Sequence, residues 1–433
     1  MKKILLLLFG SAMFSVCAQT VATPTTAVAP APSAKDWDVN IYGFVRTDYI
    51  WDTRRSAQVR EYNLNLYPLD ESLDINGQDV NDAGASNFLS IVSRLGVKFK
   101  GPNVWGAKAS GTLEGDFFGN TEASIGLFRL RHAYANLDWD KTSITVGQTW
   151  YPTFIPEVFP GVANFSTGIL FNPFGWVSQV RIKQNLTKEI SFAFTAYKER
   201  EFTTATALGG TQNSASFNSA LPTLHGQFQF RNKNWIAGVG AEYKSLQPLT
   251  EFALTPTTKI ATTEKVNSTI VVGYFKYNTD KFHIKAYGIS GGDMFSFVQL
   301  GGFVGYNQAG QAERYEASKT TSFWVDIASN NKAIAPGFFF GHTQNDGTNK
   351  QGLVAGETAR YYMRGVVGGR VVDNVWRAAG RVDFKQNKFR VTPELEYTKV
   401  VWSDLSTLGN GAAGNNAKDF GNFRAMVSCA YSF

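Results

Sequence analysis

FLSIVSRLGVKFK (88–100), VWGAKASGTLEGDFF (104–118), FRLRHAYANLDW (128–139) and TSITVGQTW (142–150) decide the fold of this 433-residue chain. We interpret them as four consecutive antiparallel strands. In the first strand, apolar and polar side chains alternate with a period of two, which indicates two different environments. The apolar face holds Leu89, Ile91, Leu95, Val97 and Phe99, and the polar face holds Ser90, Arg94, Lys98 and Lys100. This alternation fits a soluble sandwich as well as a membrane barrel, so the rest of the chain decides between them.

The composition favours one large all-β body. Glycine is abundant at 41 residues and aromatic residues reach 14%, whereas charged residues are only 18%. After the N-terminus, no apolar run is long enough for a membrane helix. Length alone would also allow two or three soluble domains.

The first 18 residues predict a secretion signal. Lys2 and Lys3 form the basic start, an apolar run follows, and Val16-Cys17-Ala18 is a small-residue cleavage site. A short membrane anchor is the alternative, as is a lipoprotein modified at Cys17. Cleavage after Ala18 lowers the formal net charge from +7 to +5 and leaves Cys429 alone, which excludes an intrachain disulfide.

Residues 19–38, rich in alanine, threonine and proline, predict a disordered periplasmic tail. From there to residue 433 the chain predicts a barrel of sixteen strands, each of about ten residues, the length that a tilted strand needs to cross the hydrocarbon. The predicted strands lie near 39–50, 88–100, 104–116, 126–138, 142–150, 176–186, 189–198, 222–231, 234–244, 266–277, 280–290, 319–328, 335–343, 374–385, 388–400 and 421–433.

The connections alternate strictly in length, which is typical of a transmembrane barrel with short periplasmic turns and long external loops. Short connections such as Gly101-Pro102-Asn103 and Gln386-Asn387 have the chemistry of hairpin turns. Long connections lie near 51–87, 117–125, 151–175, 199–221, 245–265, 291–318, 344–373 and 401–420. An even strand number places both termini on the periplasmic side. Tyr361–Val372 could also pair, which would raise the count to 18.

The two faces of the strands then divide between lipid and lumen. A charge facing lipid at mid-depth costs ~2–4 kcal/mol, so charged residues are expected inside. The predicted outward residues are Leu89, Ile91, Val97, Phe99, Phe128, Val180, Ile182, Phe192, Phe194, Phe228, Phe230, Phe282, Ile284, Val325, Phe389, Val391, Leu395 and Tyr397. The predicted lumen charges are Arg46, Arg94, Lys98, Glu114, Asp116, Arg129, Arg131, Arg181, Lys183, Lys285, Arg377, Arg381, Asp383, Arg390, Glu394, Glu396 and Arg424. Bases outnumber acids, so the wall of the pore is predicted to be net positive.

Several segments of this chain are similar to the DcaP-like outer-membrane porins. The segments are Ser93-Arg94-Leu95-Gly96, Glu114-Gly115-Asp116-Phe117-Phe118-Gly119, Arg129-Leu130-Arg131-His132-Ala133-Tyr134 and Gly147-Gln148-Thr149-Trp150. The resemblance implies a trimeric barrel in a Gram-negative outer membrane that passes small, often anionic, solutes. The amphipathic C-terminal strand ending in Phe433 is similar to the signal that the barrel-assembly machinery reads.

A wide sixteen-stranded barrel needs a loop folded inside it to be selective. Residues 151–175 are the candidate, because they are too apolar for an external loop and are stiffened by prolines. Glu157 is the single acid of this loop. We predict that pore lining and anion selectivity come from Arg46, Arg94, Lys98, Glu114, Asp116, Arg129, Arg131, Glu157, Arg377, Arg381 and Arg424, with Glu157 opposite the arginines.

The sequence predicts a passive diffusion porin for small hydrophilic, preferentially anionic solutes such as carboxylates. The alternative is a non-conducting barrel that acts as an adhesin or structural protein through its loops. No enzyme, metal, cofactor or nucleic-acid site is expected, because the four histidines are scattered; a Ser–His pair that uses His342 is the weak alternative. Small residues on the outward face of the third strand, Ala107, Ala109 and Gly111, predict a homotrimer or, alternatively, a local requirement of barrel shape.

Overall fold

The computed structural model describes residues 37–433, which form a closed antiparallel β-barrel of sixteen strands. The predicted signal peptide and nearly all of the predicted tail lie outside the described residues. The barrel begins at Asp38, one residue before the predicted start. Among the described residues, no helix is long and apolar enough to cross a membrane.

Each strand pairs with the next, and the last strand closes on the first. The strands are β1 (Asp38–Asp52), β2 (Ala85–Leu89 and Arg94–Lys100), β3 (Lys108–Asp116), β4 (Arg129–Asp138), β5 (Thr142–Trp150), β6 (Trp176–Asn185), β7 (Ile190–Lys198), β8 (Thr223–Arg231), β9 (Trp235–Leu246), β10 (Val266–Asn278), β11 (Phe282–Gly292), β12 (Arg314–Ser329), β13 (Ile334–Gly347), β14 (Arg370–Gln386), β15 (Phe389–Asp404) and β16 (Lys418–Ser432). In the closing pair, Phe44 lies opposite Ser432 and Asp52 opposite Arg424. The predicted sixteen strands are confirmed.

The connections define two ends of the barrel, which we call the turn end and the loop end. Seven short turns and both termini of the described barrel lie at the turn end. At the loop end, one longer loop follows each of the eight odd-numbered strands: L1 (53–84), L2 (117–128), L3 (151–175), L4 (199–222), L5 (247–265), L6 (293–313), L7 (348–369) and L8 (405–417). The predicted alternation of short and long connections is therefore present.

Loops L4 to L7 fold together into a cap at the loop end. The cap contains helix α1 (Ser214–Asn218), a hairpin of Glu251–Ala253 with Lys259–Ala261, a 3-10 turn (Phe295–Phe297), and paired strands Gly301–Gln308 and Glu357–Arg364. A short strand, Val366–Val367, pairs with the start of β14, and L2 holds a 3-10 turn at Glu122–Ser124. Residues 361–364 thus pair with L6 in the cap, so they add no strands to the barrel wall.

The outward face of the barrel is apolar, as predicted. Val180, Ile182 and Leu395 are each about half exposed, so they do not lie in a packed protein core. Trp235, Tyr277 and Phe282 form an aromatic cluster where β9, β10 and β11 reach the turn end. An outward apolar band flanked by aromatic residues is typical of barrels that sit in an outer membrane.

The predicted outward position of Leu89 and Ile91 is wrong. β2 is interrupted between Leu89 and Arg94, so that Leu89 lies opposite Asp48 while Arg94 lies opposite Phe44. The extra residue in β2 shifts the alternation, as a bulge does. Leu89 therefore points into the lumen and is only 3% exposed, and Ile91 packs against the same apolar cluster.

The small residues of the third strand have partners within the barrel. Ala107 precedes β3 and closes the turn with Val104. A Cβ atom at Gly111 would lie 2.3 Å from the ring of Phe99, so this ring covers the glycine. The close approach of Phe99 therefore favours glycine at position 111, whether or not a neighbouring subunit packs there.

Candidate channel interior

L3 folds into the lumen and reaches deep toward the turn end. Its Glu157 forms an ion pair with Arg231, the last residue of β8 before a turn. The Lys285 ammonium, near the start of β11, donates a hydrogen bond to the Phe159 carbonyl at 3.0 Å. The predicted inward-folded constriction loop is confirmed.

L3 is also anchored on the opposite wall. The Arg46 guanidinium of β1 donates to the Ala163 carbonyl, and the Glu394 carboxylate of β15 accepts the Ala163 N–H at 2.7 Å. The Trp324 indole donates to the Asn172 side chain at 3.1 Å. A loop inside a barrel loses water from its polar groups, and these inward side chains replace it.

Apolar side chains of L3 complete a core inside the barrel. Val158, Leu170 and Phe171 are fully buried, and Phe171 lies 6.0 Å from the ring of Phe339 on β13. In water these side chains would be exposed, so burial of their apolar surface drives the loop inward. This burial is the physical basis of the prediction made from the apolar sequence of L3.

L1 also enters the lumen, although the sequence predicted it to be an external loop. Its hairpin pairs Ser56–Val59 with Leu64–Pro68, and the Leu64 side chain is fully buried in the same core as L3. Arg377 of β14 donates to the carbonyls of Asn65 and Leu66 at 3.0 and 3.1 Å. The run NLNLYP (63–68) has the apolar alternation of a strand, and this signal could have identified the hairpin.

A buried network of charges connects β3 and β4. The Arg129 Nε donates to Asp116 at 2.7 Å, and the Arg131 Nε donates to Glu114 at 2.7 Å, with a further bond from Arg131 to Asp116 at 3.1 Å. Glu201 of L4 also pairs with Arg129. Both arginines are almost fully buried, so neither offers a free charge to the lumen.

β4 has a bulge beside this network. Asp116 lies opposite Arg129, but Glu114 lies opposite His132, so Arg131 is the extra residue. The carbonyls of Leu130 and Arg131 accept hydrogen bonds from the Gln148 side chain. Arg129 and Arg131, two residues apart, share the inward face, and the bulge turns the next residue, His132, inward as well, so that it is 8% exposed.

Aromatic rings and loop charges border the network. The guanidinium carbons of Arg131 and Arg129 lie 4.3 and 4.8 Å from the ring centre of Trp176, close enough for cation–π attraction. Burial raises the pKa of the Glu201 carboxyl in L4 although Arg129 opposes this shift. Burial, and next the like charge of Arg129, lower the pKa of Arg60 in L1.

Most other predicted lumen arginines are paired as well. Arg46 pairs with Asp48 at 2.8 Å, Arg424 with Asp52 at 2.8 Å, and Arg381 with Asp326 at 2.8 Å. Arg377 pairs with Glu396 at 3.3 Å. Asp48, Asp52 and Asp326 were not among the predicted lumen residues. The first two share the alternation of Arg46 along β1, which is the signal that could have found them.

The structure separates the predicted selectivity residues into two groups. Arg46, Glu114, Asp116, Arg129, Arg131, Arg377, Arg381 and Arg424 are buried, whereas Arg94 is partly exposed and Lys98 and Glu157 are exposed. Arg94 lies 3.5 Å from Glu114. Glu157 was predicted to oppose the arginines of β1–β4 and β14–β16, but it contacts Arg231 of β8 instead.

The open part of the lumen is a vestibule at the turn end. A cavity of about 640 Å³ is lined by Lys98, Arg181, Tyr42, Tyr134 and other polar residues of β1–β6. A second cavity of about 530 Å³ is lined by Lys332, Lys385, Lys388 and Arg390. We call these two cavities together the turn-end vestibule.

The vestibule holds cations without partners. Within residues 37–433, Lys332, Lys388 and Arg390 have no carboxylate within salt-bridge distance, while Lys385 pairs with Asp383 at 3.3 Å. These three were outside the predicted selectivity set, since two lie in turns. In the same described residues, no group of three side chains suited to a metal ion is found.

Comparisons with known proteins support the fold. No family model matches the chain, and a sequence comparison with curated proteins finds no match either. Among solved structures, the chain is similar to the outer membrane channel DcaP of Acinetobacter baumannii, with 18% identity, 94% of this chain and 100% of that chain covered, and a TM-score of 0.63. It is also similar to an anion-selective porin from Comamonas acidovorans (13% identity, 92% and 100% covered, TM-score 0.54). A third is the outer-membrane OmpT of Vibrio cholerae (11% identity, 92% and 98% covered, TM-score 0.51).

The predicted resemblance to DcaP-like porins is thus confirmed at the level of the fold. The sixteen-stranded barrel with an apolar outer band also confirms the predicted localisation, the outer membrane of a Gram-negative bacterium. The chain therefore has the porin fold, an outer-membrane barrel whose third loop folds into its own lumen.

Proposed function

We propose that this protein is a channel for the passive diffusion of small hydrophilic solutes, with a preference for anions such as carboxylates. The observation that carries the anion preference is the group of unpaired cations in the turn-end vestibule, Lys332, Lys388 and Arg390. Unneutralised charges in a cleft with low-dielectric walls raise the local concentration of counter-ions.

The buried arginines have a different part in this proposal. Arg46, Arg129, Arg131 and Arg424 are each neutralised by a carboxylate, so they contribute little net field to the lumen. Their guanidinium groups hold L3 and the strands in place through directional bonds. Selectivity then depends on the vestibule, and Lys98 is the predicted selectivity residue that best fits this role because it is exposed.

The test is a reversal potential measured across planar bilayers that separate concentrated and dilute KCl. We expect a sign that corresponds to chloride crossing faster than potassium. A potential of the opposite sign would refute the anion preference while leaving a channel, and no conductance at all would refute the channel itself.

We further propose that the barrel assembles as a homotrimer and enters the membrane through the barrel-assembly machinery by means of its C-terminal Phe433. Ala109 is a small residue on the outward face of β3 and is partly exposed. Ala109→Leu should therefore disrupt a trimer that packs on this face, whereas Ala286→Leu, the same change on the outward face of β11 on the other side of the barrel, should not. Crosslinking in mild detergent measures both variants.

A second candidate function rests on the cap. Leu249, Phe252, Phe303 and Tyr315 form an apolar core of their own among the loops, and Phe217 of α1 is 86% exposed beside it. A folded cap with an exposed ring suits a barrel that binds a partner without conducting. Conductance of the purified protein separates this candidate from the first.

A further inference from the structure

L3 carries a single charged side chain, that of Glu157, in all its 25 residues from 151 to 175. Its immediate surroundings are cationic. Glu157 pairs with Arg231 of β8 and lines one cavity together with Arg181 of β6. It interacts electrostatically with Lys276 of β10, which lies opposite Lys285, the residue that bonds to Phe159 of L3. Three strands of the wall thus direct positive charge toward one carboxylate.

These cations have no other acid at hand. Within residues 37–433, Arg231 has no ion-pair partner except Glu157, and Arg181 and Lys276 have none within salt-bridge distance. The Arg181 Nε donates only to the Thr195 hydroxyl, at 3.3 Å. The pocket would therefore hold a strong excess of positive charge if the Glu157 side chain left it.

The pocket is open to solutes in the lumen. The side chains of Glu157 and Arg231 are 41% and 47% exposed. A cavity of about 130 Å³ between L3 and the wall is lined by Glu157, Arg181 and Lys183. Arg181 and Pro156 also line the larger vestibule cavity, so the two spaces adjoin.

The Glu157 side chain can leave without movement of the loop. On either side of it the backbone is fixed, because Tyr287 donates to the Thr153 carbonyl at 2.7 Å and Lys285 to the Phe159 carbonyl at 3.0 Å. Val158, the next residue, is fully buried. Rotation of one exposed side chain is therefore enough to free the cations.

We propose that Arg231, Arg181 and Lys276 form a binding site for a small carboxylate, and that the protein fills this site with its own Glu157 until a solute replaces it. The proposal rests on the proposed anion channel and names the site at which its solute pauses. Arginine suits this site because its planar guanidinium binds a carboxylate at two points. The glutamate side chain ends in a propionate group, so a ligand of that size and charge fits.

The test is a titration of the detergent-solubilised protein with propionate, in which saturation-transfer NMR measures binding. In Glu157→Gln the carboxylate that competes with propionate is replaced by a neutral amide, so the dissociation constant for propionate should fall. An exposed ion pair of ordinary strength, about 0.2–1 kcal/mol, implies a decrease of roughly 1.4- to fivefold. In the double variant Glu157→Gln with Arg231→Gln, propionate binding should disappear.

Two controls define specificity. Glu251→Gln removes a different exposed glutamate, one that pairs with Lys259 in the cap, and should leave the dissociation constant unchanged. Propionamide has the shape of propionate without its charge and should not bind to Glu157→Gln.

Equal propionate affinity in the wild type and in Glu157→Gln would overturn the proposal. This readout does not depend on conduction. A protein that conducts anions but fails this test keeps the proposed function and loses the site. A protein that passes the test without conducting keeps the site and loses the channel.

Discussion

The lumen of this barrel has two regions with the same kinds of charged residue and different electrostatics. Beside L1 and L3, Arg129, Arg131 and Arg424 are buried and each contacts one or two carboxylates. In the turn-end vestibule, Lys388 and Arg390 are exposed, and in the described part of the chain no carboxylate lies within salt-bridge distance of either. The first region is a packed interior, and the second is a charged opening.

The difference shows that pairing, more than the number of inward bases, decides where a barrel has a field. The opposite charges of a guanidinium and a carboxylate in contact largely cancel when they are felt from a distance. Their hydrogen bonds hold the two chain segments in place. Unpaired cations at an opening act on solutes in the water in front of them. The two regions should therefore respond to mutation in opposite ways: one in stability and the other in selectivity.

Deletion of Val158–Thr167 should have the largest effect of the changes considered. It removes the buried Val158 and the Ala163 anchor to Arg46 and Glu394. We expect a higher single-channel conductance, since the obstructing loop is shortened, together with a lower melting temperature of the barrel. An unchanged conductance would mean that L3 does not limit the path.

Arg377→Ala should be the most destabilising single substitution in the packed region. Its guanidinium bonds to L1, to the Ile169 carbonyl of L3 and to Glu396, all of them buried. Breaking a buried pair on one side costs about 3–5 kcal/mol. Thermal unfolding in detergent measures the loss, and Arg390→Ala in the vestibule is the matched control that should unfold like the wild type.

The double substitution of Arg129 and Arg131 with glutamine distinguishes the two regions directly. The selectivity role predicted for Arg129 and Arg131 implies a shift toward cations without unfolding. The structure changes this expectation, because Asp116 and Glu114 would be left buried without their partners. We now expect a lower melting temperature, with the reversal potential of the surviving channels nearly unchanged. A large shift in that potential at unaltered stability would contradict this assignment.

The triple substitution of Lys332, Lys388 and Arg390 with glutamine should give the smallest change in stability and a clear change in selectivity. The permeability ratio should move toward cations in dilute salt. The shift should fade as salt rises, because screening shortens the reach of exposed charges from about 10 Å at 0.1 M to about 3 Å at 1 M. Reversal potentials at several salt concentrations measure both effects. A shift that persists at 1 M would place the responsible charges elsewhere.

The sequence predicted the wall of the barrel well because the wall depends on local signals. The alternation of side chains and the turn chemistry of short segments such as Gln386-Asn387 act over a few residues. The inward position of L3 was also accessible, since its apolar side chains have no place in water. Asn387 has a φ of 54°, a conformation that asparagine tolerates better than most residues.

The interior was less predictable because it depends on contacts between distant segments. A single extra residue in β2 turned Leu89 inward, and no local pattern marks that bulge. The partner of Glu157 depends on how far L3 descends, which places it beside Arg231. The entry of L1 depends on Arg377, more than 300 positions later in the chain.

The anchoring of L3 has a consequence for the order of folding. Ala163 bonds to Glu394, 231 positions later in the chain, and to Arg46 near the start of the barrel. Contacts that join such distant segments form late, since the intervening chain must first be brought together. The Ala163 anchor of L3 should therefore form only after β15 has joined the sheet, so the loop becomes fixed on that side of the lumen only as the barrel closes.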